Sequence, residues 1–299
     1  MTGFSADWLH LREPFDHAAR GMGAAARDLH GRLARWRNRL PGEALAVIDL
    51  ACGHGANLRA LAPGLGGAQQ WRLVDHDPAL LAAVPDALAQ WARRQEYRFT
   101  LEGGVGDEQS IQIAGPDFHA KVVCNRVDLA RELASLDFSE TQLVTACALL
   151  DLVSAPWLQA LIHKARAARA GLVFGLTVDG RTVWNPVDPD DELVHGLFSQ
   201  HQRRDKGFGP ALGSQAGAIA LVELARAGYE TAQTQPEWVI DGALSPQMQF
   251  AMVEGMAAAA LEQNPAAHEA VLSWKARREA GIGNSRLRIG HVDIVATLA

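Results

Sequence analysis

Cysteine is scarce in this chain, positive charge is in the minority, and no apolar run is long enough to span a bilayer. Each shortage narrows the function. The three cysteines, Cys52, Cys124 and Cys147, sit in or beside apolar runs, and no pair has the spacing of a zinc knuckle or a redox motif. They predict buried thiols in a reducing compartment. Lys and Arg number 28 against 34 Asp and Glu, a formal net charge of −6, so nucleic acid is not the expected partner. The most basic stretch, Arg32 to Arg39, spaces its arginines as a solvated helix face does. No uninterrupted apolar run approaches the ~20 residues of a membrane helix. The opening MTGFSADWLHLREP lacks a basic start followed by an apolar core, so no secretory signal is expected. The reading is a soluble cytoplasmic protein of undefined oligomeric state.

What is present is an ordinary globular balance, 48% hydrophobic and 21% charged, in 299 residues. Residues 1–40 predict a helical cap, with Met22, Ala25, Leu29, Leu33 and Trp36 on one face. From Ala44 to Val178 strand and helix patterns alternate, which predicts a doubly wound, mostly parallel α/β sheet. LAVIDLAC, WRLV, AKVVCNRVDL, TQLVTACALLDLV and LVFGLTV supply its strands, and EYRFTLEG with SIQIAG an inserted β-hairpin across the turn chemistry of GGVGDEQ. ANLRAL reads as a helix stopped by Pro63-Gly64, the helix from Pro78 as bent at Pro85, and the helix after Ser154 as closed near Gly171. Residues 179–299 supply a long polar loop, a helix at SQAGAIALVELARAGYE, two late strands and Ala-rich helices between Ser245 and Ala280. One domain is expected.

The stretch VIDLACGHGANLRALAPG, residues 47–64, carries most of the functional information. A buried strand passes through Gly53 and Gly55 straight into a helix. Without Cβ atoms those glycines let a ligand approach the main chain, and the new helix offers free N–H groups. Asp75 follows about 20 residues later at the end of the next strand, the placement that hydrogen-bonds ribose hydroxyls. Turn and acid together predict a nucleoside-containing cofactor. Leu58 stands where a dinucleotide fingerprint has its third glycine, and no Lys-[ST] follows the turn, so a P-loop is excluded.

VIDLACGHG, LVDHDP, CNRVDLA and LVTACALLDLV together resemble the motifs of the class I S-adenosylmethionine-dependent methyltransferases, over approximately Ala44 to Val178. The resemblance implies a Rossmann-like fold, S-adenosylmethionine as cofactor and methyl transfer to an O- or N-nucleophile of a small molecule. Mapped onto this chain, it implies cofactor contacts from Asp49, Ala51, Gly53, Gly55, Asn57, Asp75 with His76, Asp128 with Leu129, and Cys147 with Ala148. Ala51 replaces the family's usual first glycine, which predicts a negative φ there. The hairpin and the late helices are additions to the family's pattern. No Asn/Asp-Pro-Pro-Tyr-type strand end follows the fourth strand, where ACALLD stands, so a nucleobase or glutamine acceptor is disfavoured.

Several residues keep two readings. Asp77 is explained by capping the helix that begins at Pro78. Asp128 caps LARELASL or meets the adenine amine. Asp151 is a loop acid or a base facing the acceptor, and His201 is the second candidate base. Trp184, His201 and Arg204 are candidates for contact with a polar or planar acceptor, and DWLHLREPFDHAAR is a candidate wall from which Arg12 or Arg20 pairs with the cofactor carboxylate. His195 and His201 with Asp188, Asp190 and Asp191 have no recognised ligand spacing, so no metal is expected. Two alternatives stand beside methyl transfer. One is a nicotinamide-dependent oxidoreductase, which would need the absent third glycine and a Tyr-x-x-x-Lys that neither Tyr97 nor Tyr229 provides. The other is a methyltransferase-like module that binds cofactor without turnover.

Overall fold

The structure, a computed structural model, describes residues 6–21, 24–40, 42–103 and 109–298. The N-terminal part is two helices, α1 (Ala6–Gly21) and α2 (Ala24–Arg37). Leu29, Leu33 and Trp36 are buried as their spacing predicts, while Met22 and the side chain of Ala25 lie outside what is described, as do residues 104–108 of the predicted hairpin turn.

After α2 the chain alternates as β1 (Ala44–Leu50), α3 (Ala56–Leu65), β2 (Gly67–Asp75) and α4 (Pro78–Arg94). The hairpin β3 (Arg98–Glu102) and β4 (Ser110–Ala114) follows, then β5 (Phe118–Arg126), α5 (Leu129–Glu132), β6 (Leu143–Cys147), α6 (Ala155–Ala167) and β7 (Gly171–Asn185). The last third is α7 (Asp191–Gln202), α8 (Ala216–Arg226), β8 (Glu230–Thr234), β9 (Glu237–Asp241), α9 (Pro246–Gln263), α10 (His268–Ala280) and β10 (Arg286–Thr297).

Among the described residues all ten strands join one sheet, ordered β3-β4-β5-β2-β1-β6-β7-β10-β8, with β9 also on β10. The five central strands, β5-β2-β1-β6-β7, are parallel, and the pairings outside them are antiparallel. The chain winds outward from β1 through β2 to β5 and then returns to β6 on the other side of β1. The winding therefore reverses between β1 and β6, the kind of switch point where open α/β sheets hold ligands in a crevice at the strands' carboxyl ends. Apolar residues on both sheet faces hold this frame: Ile48, Leu50, Val144 and Phe174 on one, Val47, Leu73, Leu88 and Val173 on the other. A third apolar cluster, including Trp184, Met252, Trp274 and Leu287, packs α9 and α10 beside the outer half of β7 and β10.

Three boundaries differ from the sequence expectation. Helix α3 runs through Pro63 and ends at Leu65, followed by Gly66, whose N–H returns to the Ala62 carbonyl. Helix α6 ends at Ala167, with Arg169 left-handed at φ 56, while Gly171 already belongs to β7. Most consequentially, the polar DGRTVWN is not a loop. It is the second half of β7, paired with β10 from Thr182↔Ile289 to Asn185↔Arg286, and α7 follows it. Backbone pairing to β10 overrides the polar side chains there. Among the described residues no helix is long and apolar enough to cross a membrane.

Candidate functional site

Backbone strain collects at the switch point. Ala51, one residue past β1, takes φ 51 rather than the expected negative value. Ala148, one past β6, also has φ 51, and Leu176 within β7 has φ 50. A left-handed non-glycine residue costs roughly 1–2 kcal/mol. Neighbouring ties impose these conformations: Cys52 N–H donates to Val74 O at 3.0 Å, Ala148 N–H to Gly175 O at 2.9 Å, and Leu176 N–H to Asp293 Oδ1 at 2.6 Å. The remaining two such residues, Glu96 and Arg169, lie just past α4 and α6, where helices commonly end left-handed. Strain of the first kind gathers at ligand sites.

Beneath the strained residues lies a buried polar cluster. Asp49, fully buried at the end of β1, accepts from Asn57 Nδ2 through Oδ1 at 2.9 Å. Asn57 Nδ2 also donates to Thr145 Oγ1 of β6 at 2.7 Å, and Arg20 Nη1 of α1 donates to Asn57 Oδ1 at 2.9 Å. Two charged groups in this cluster keep an orphaned atom, Asp49 Oδ2 and Arg20 Nε. Arg20 Nε stands 3.8 Å from Asp293 Oδ2, outside hydrogen-bond reach. Loss of solvation pushes the Asp49 carboxyl up to about 7, with Asn57 and Arg20 opposing. An unpaired buried acceptor and an unpaired buried donor, bridged by one amide, are the complement of an α-amino-acid head group.

Around the glycine turn, Gly53 has φ 55 and Gly55 φ 81. Asp75 at the end of β2 is buried; its Oδ2 accepts from Gly53 N–H at 2.9 Å and its Oδ1 from Asp77 N–H at 3.0 Å. Each oxygen keeps a further lone pair. His76 is exposed, with Nδ1 3.2 Å from Asp75 Oδ1. Asp77 caps α4 through Ala79 N–H, and Asp128 caps α5 through Ala130 N–H, while Leu129 is buried. Helix α1 covers the turn: Leu9 Cδ1 is 3.2 Å from where a Gly53 Cβ would stand, and Glu13 binds Arg59, whose Nη1 donates to His54 O at 2.8 Å.

A cavity of about 270 Å³ lies under α1, α7 and α9, with Ala148 in its lining. Asp151 lines it, its Oδ1 buried without a partner and its carboxyl raised to about 6, chiefly by loss of solvation. Arg12 lines it too, bound to Asp16 at 2.9 Å rather than free for a cofactor carboxylate. His201 is not brought to Asp151: its Nε2 stands 3.2 Å from Glu262 on α9. Arg204 binds the same Glu262 at 2.6 Å. Trp184 is buried against Trp274, with its N–H on His195 Nε2, because its strand lies under α7 and α10 and does not form a loop. Asp188 and Asp190 bind Arg277, and Asp191 binds Arg278.

Four residues of this site escaped the sequence reading: Thr145, Trp238, His291 and Asp293. Trp238 and His291 line the cavity with ring centroids 4.9 Å apart, and Asp293 anchors the Leu176 bulge beside Arg20. The signal was available for two of them, since His291 and Asp293 interrupt the apolar run GHVDIVATL as Asp49 interrupts its own.

No family model matches the chain, and no curated protein matches it. Solved structures are similar to the chain at low identity. A possible exported protein from Bordetella parapertussis is 16% identical, with 99% of this chain and 80% of that one covered, at a TM-score of 0.46. The cyclopropane synthase MmaA2 from Mycobacterium tuberculosis is 9% identical, covering 98% and 95%, at 0.45. The [4+2]-cyclase SpnF is 15% identical, covering 98% and 95%, at 0.40.

Proposed function

We propose that this chain is an S-adenosylmethionine-dependent methyltransferase acting on a small-molecule acceptor. The observation that carries the reading is the paired orphan, Asp49 Oδ2 and Arg20 Nε, in one buried cluster beside the glycine turn. The motif resemblance and the doubly wound sheet agree with it. The residues present fit the cofactor. Asp49 would hold the amino group of its methionyl end and Arg20 the carboxylate. The turn at Gly53 and Gly55 would bring main chain to the adenosyl part, and Asp75 has lone pairs left for the ribose.

The bound cofactor supplies a methyl group already activated by the sulfonium charge. The chain's own task is then alignment, exclusion of water and, for an O–H or N–H acceptor, a place for the proton. Asp151 is that place: a carboxyl raised to about 6 is ionised at neutral pH yet basic enough to accept. Leu9 of α1 stands over Gly53, so a ligand reaching that turn would meet this side chain.

The reading is tested by incubating the protein with S-adenosylmethionine and a panel of hydroxyl and amine acceptors and measuring S-adenosylhomocysteine. Product is expected with at least one acceptor, and no calorimetric binding of NAD is expected. Binding of NAD without binding of S-adenosylmethionine would favour the oxidoreductase, and binding of the latter without product over a broad panel the non-catalytic module. Asp75→Ala should weaken cofactor binding by ~1–3 kcal/mol, because it removes a charged acceptor and also loosens Gly53 and Asp77. Unchanged affinity in titration of that variant would remove Asp75 from the site.

A further inference from the structure

We infer that the cavity beyond β6 and β7 takes a planar, largely apolar molecule bearing a hydroxyl, a phenol by chemical class. Its O–H would be donated to Asp151 and its ring laid against Trp8 and Trp238. This names the acceptor for the proposed methyl transfer and rests on that reading only for the reaction, because the cavity's own contacts argue for the ligand.

Size comes first. About 270 Å³ is nearly twice the ~150 Å³ of a cavity that holds one benzene, so the ligand has on the order of ten non-hydrogen atoms, one or two fused rings. The walls are mostly apolar and adaptable: Trp8, Phe198, Trp238, Met252 and Met256. Trp238 shows the cavity no donor, because its indole N–H is spent on Asp16 Oδ1 at 3.0 Å.

Polarity selects within that shape. Two lining residues have a buried polar atom without a partner, Asp151 Oδ1 and His291 Nδ1. The first, ionised above its value of about 6, can only accept. Burial holds the imidazole of His291 neutral at physiological pH, so one of its ring nitrogens is also an acceptor. A ligand that satisfies Asp151 must therefore donate. The two lining guanidinium groups argue against an anionic ligand. Arg12 is bound to Asp16, and Arg181 to both Asp179 and Glu237. A carboxylate or phosphate at either would have to break those pairs.

The test uses the full chain, two probes and no methyl transfer. 2-Naphthol should bind with one-to-one stoichiometry, read by quenching of tryptophan fluorescence, at least about tenfold tighter than naphthalene. Asp151→Leu should remove that advantage, weakening 2-naphthol about tenfold while leaving naphthalene unchanged. If that variant does not fold by circular dichroism, Asp151→Asn keeps an oxygen acceptor but loses the charge, and a loss of a few-fold is expected. Equal affinity for the two probes, no binding of 2-naphthol, or no loss in a folded Asp151 variant overturns the inference. Titration with S-adenosylhomocysteine in parallel separates the two ideas. Binding of 2-naphthol without it sinks methyl transfer and leaves the cavity assignment; the reverse sinks the cavity assignment alone.

Discussion

Asp49→Asn is expected to raise the melting temperature at pH 8 and, in the same protein, to abolish binding of S-adenosyl ligands. The carboxyl of Asp49 is held at about 7 against an ordinary 3.8 by loss of solvation. A carboxyl whose folded value is raised stabilises the fold while protonated. Its contribution is whole below about pH 4 and is lost as pH climbs through 7. Ionising it at pH 8 therefore costs the native state about 4 kcal/mol at ~1.4 kcal/mol per pH unit. Asparagine has no such cost, but it places an amide N–H₂ where no acceptor stands, at ~1–3 kcal/mol. The net gain is about 1–3 kcal/mol and a Tm higher by a few degrees. At pH 5, where the native carboxyl is protonated, the substitution should be neutral or mildly destabilising. Asp151 adds to the native decline over a narrower range, up to its value of about 6. His291 runs the other way: held down at about 4 from 6.5, it contributes above pH 6.5 and loses that contribution as pH falls toward 4. Thermal melts of both proteins across pH 5 to 8 check the sign. A variant less stable than the native chain at pH 8 would mean that Asp49 is structural and already satisfied.

Asn57→Ala should have the largest effect on stability of any change in the crevice. One amide serves Asp49, Thr145 and Arg20 at 2.9, 2.7 and 2.9 Å, all buried. Removing it leaves a buried carboxyl and a buried guanidinium with fewer partners, and such losses cost about 3–5 kcal/mol. Because Arg20 belongs to α1, the variant should also loosen that helix. Faster amide exchange across Ala6–Gly21 is expected, with Ala44–Leu50 still protected. A denaturant midpoint implying less than about 1 kcal/mol would mean that water replaces the amide.

Local chemistry made part of this site legible before any fold was known. The run into Gly53-His54-Gly55, the acid Asp49 inside an apolar strand and Asp75 at the next strand end are all near neighbours in pattern. Asn57 was legible because it opens the helix after the turn. Arg20 was only a candidate, because its partner Asn57 is far away in sequence and nothing local distinguishes it from a surface arginine. The same holds for Thr145, which matters only because β6 lies beside β1. Polar pairing hid the outer half of β7, since DGRTVWN has the composition of a loop and gains its order from β10. Ala51 departs from the negative φ expected of it because tertiary ties at Cys52 and Gly53 set its conformation, not its own side chain. His201 and Trp184 were drawn to the acceptor by residue type, and their helix and strand point them at Glu262 and Trp274 instead.

Asp49 and Arg20, beneath the glycine turn, are proposed to grip the amino-acid end of an adenosyl ligand. Calorimetric titration of the native chain and of Asp49→Asn with S-adenosylhomocysteine at neutral pH decides between this and a purely structural role. One saturable site is expected in the native chain and no detectable binding to the folded variant. No binding to the native chain, or equal binding to both, would overturn the assignment.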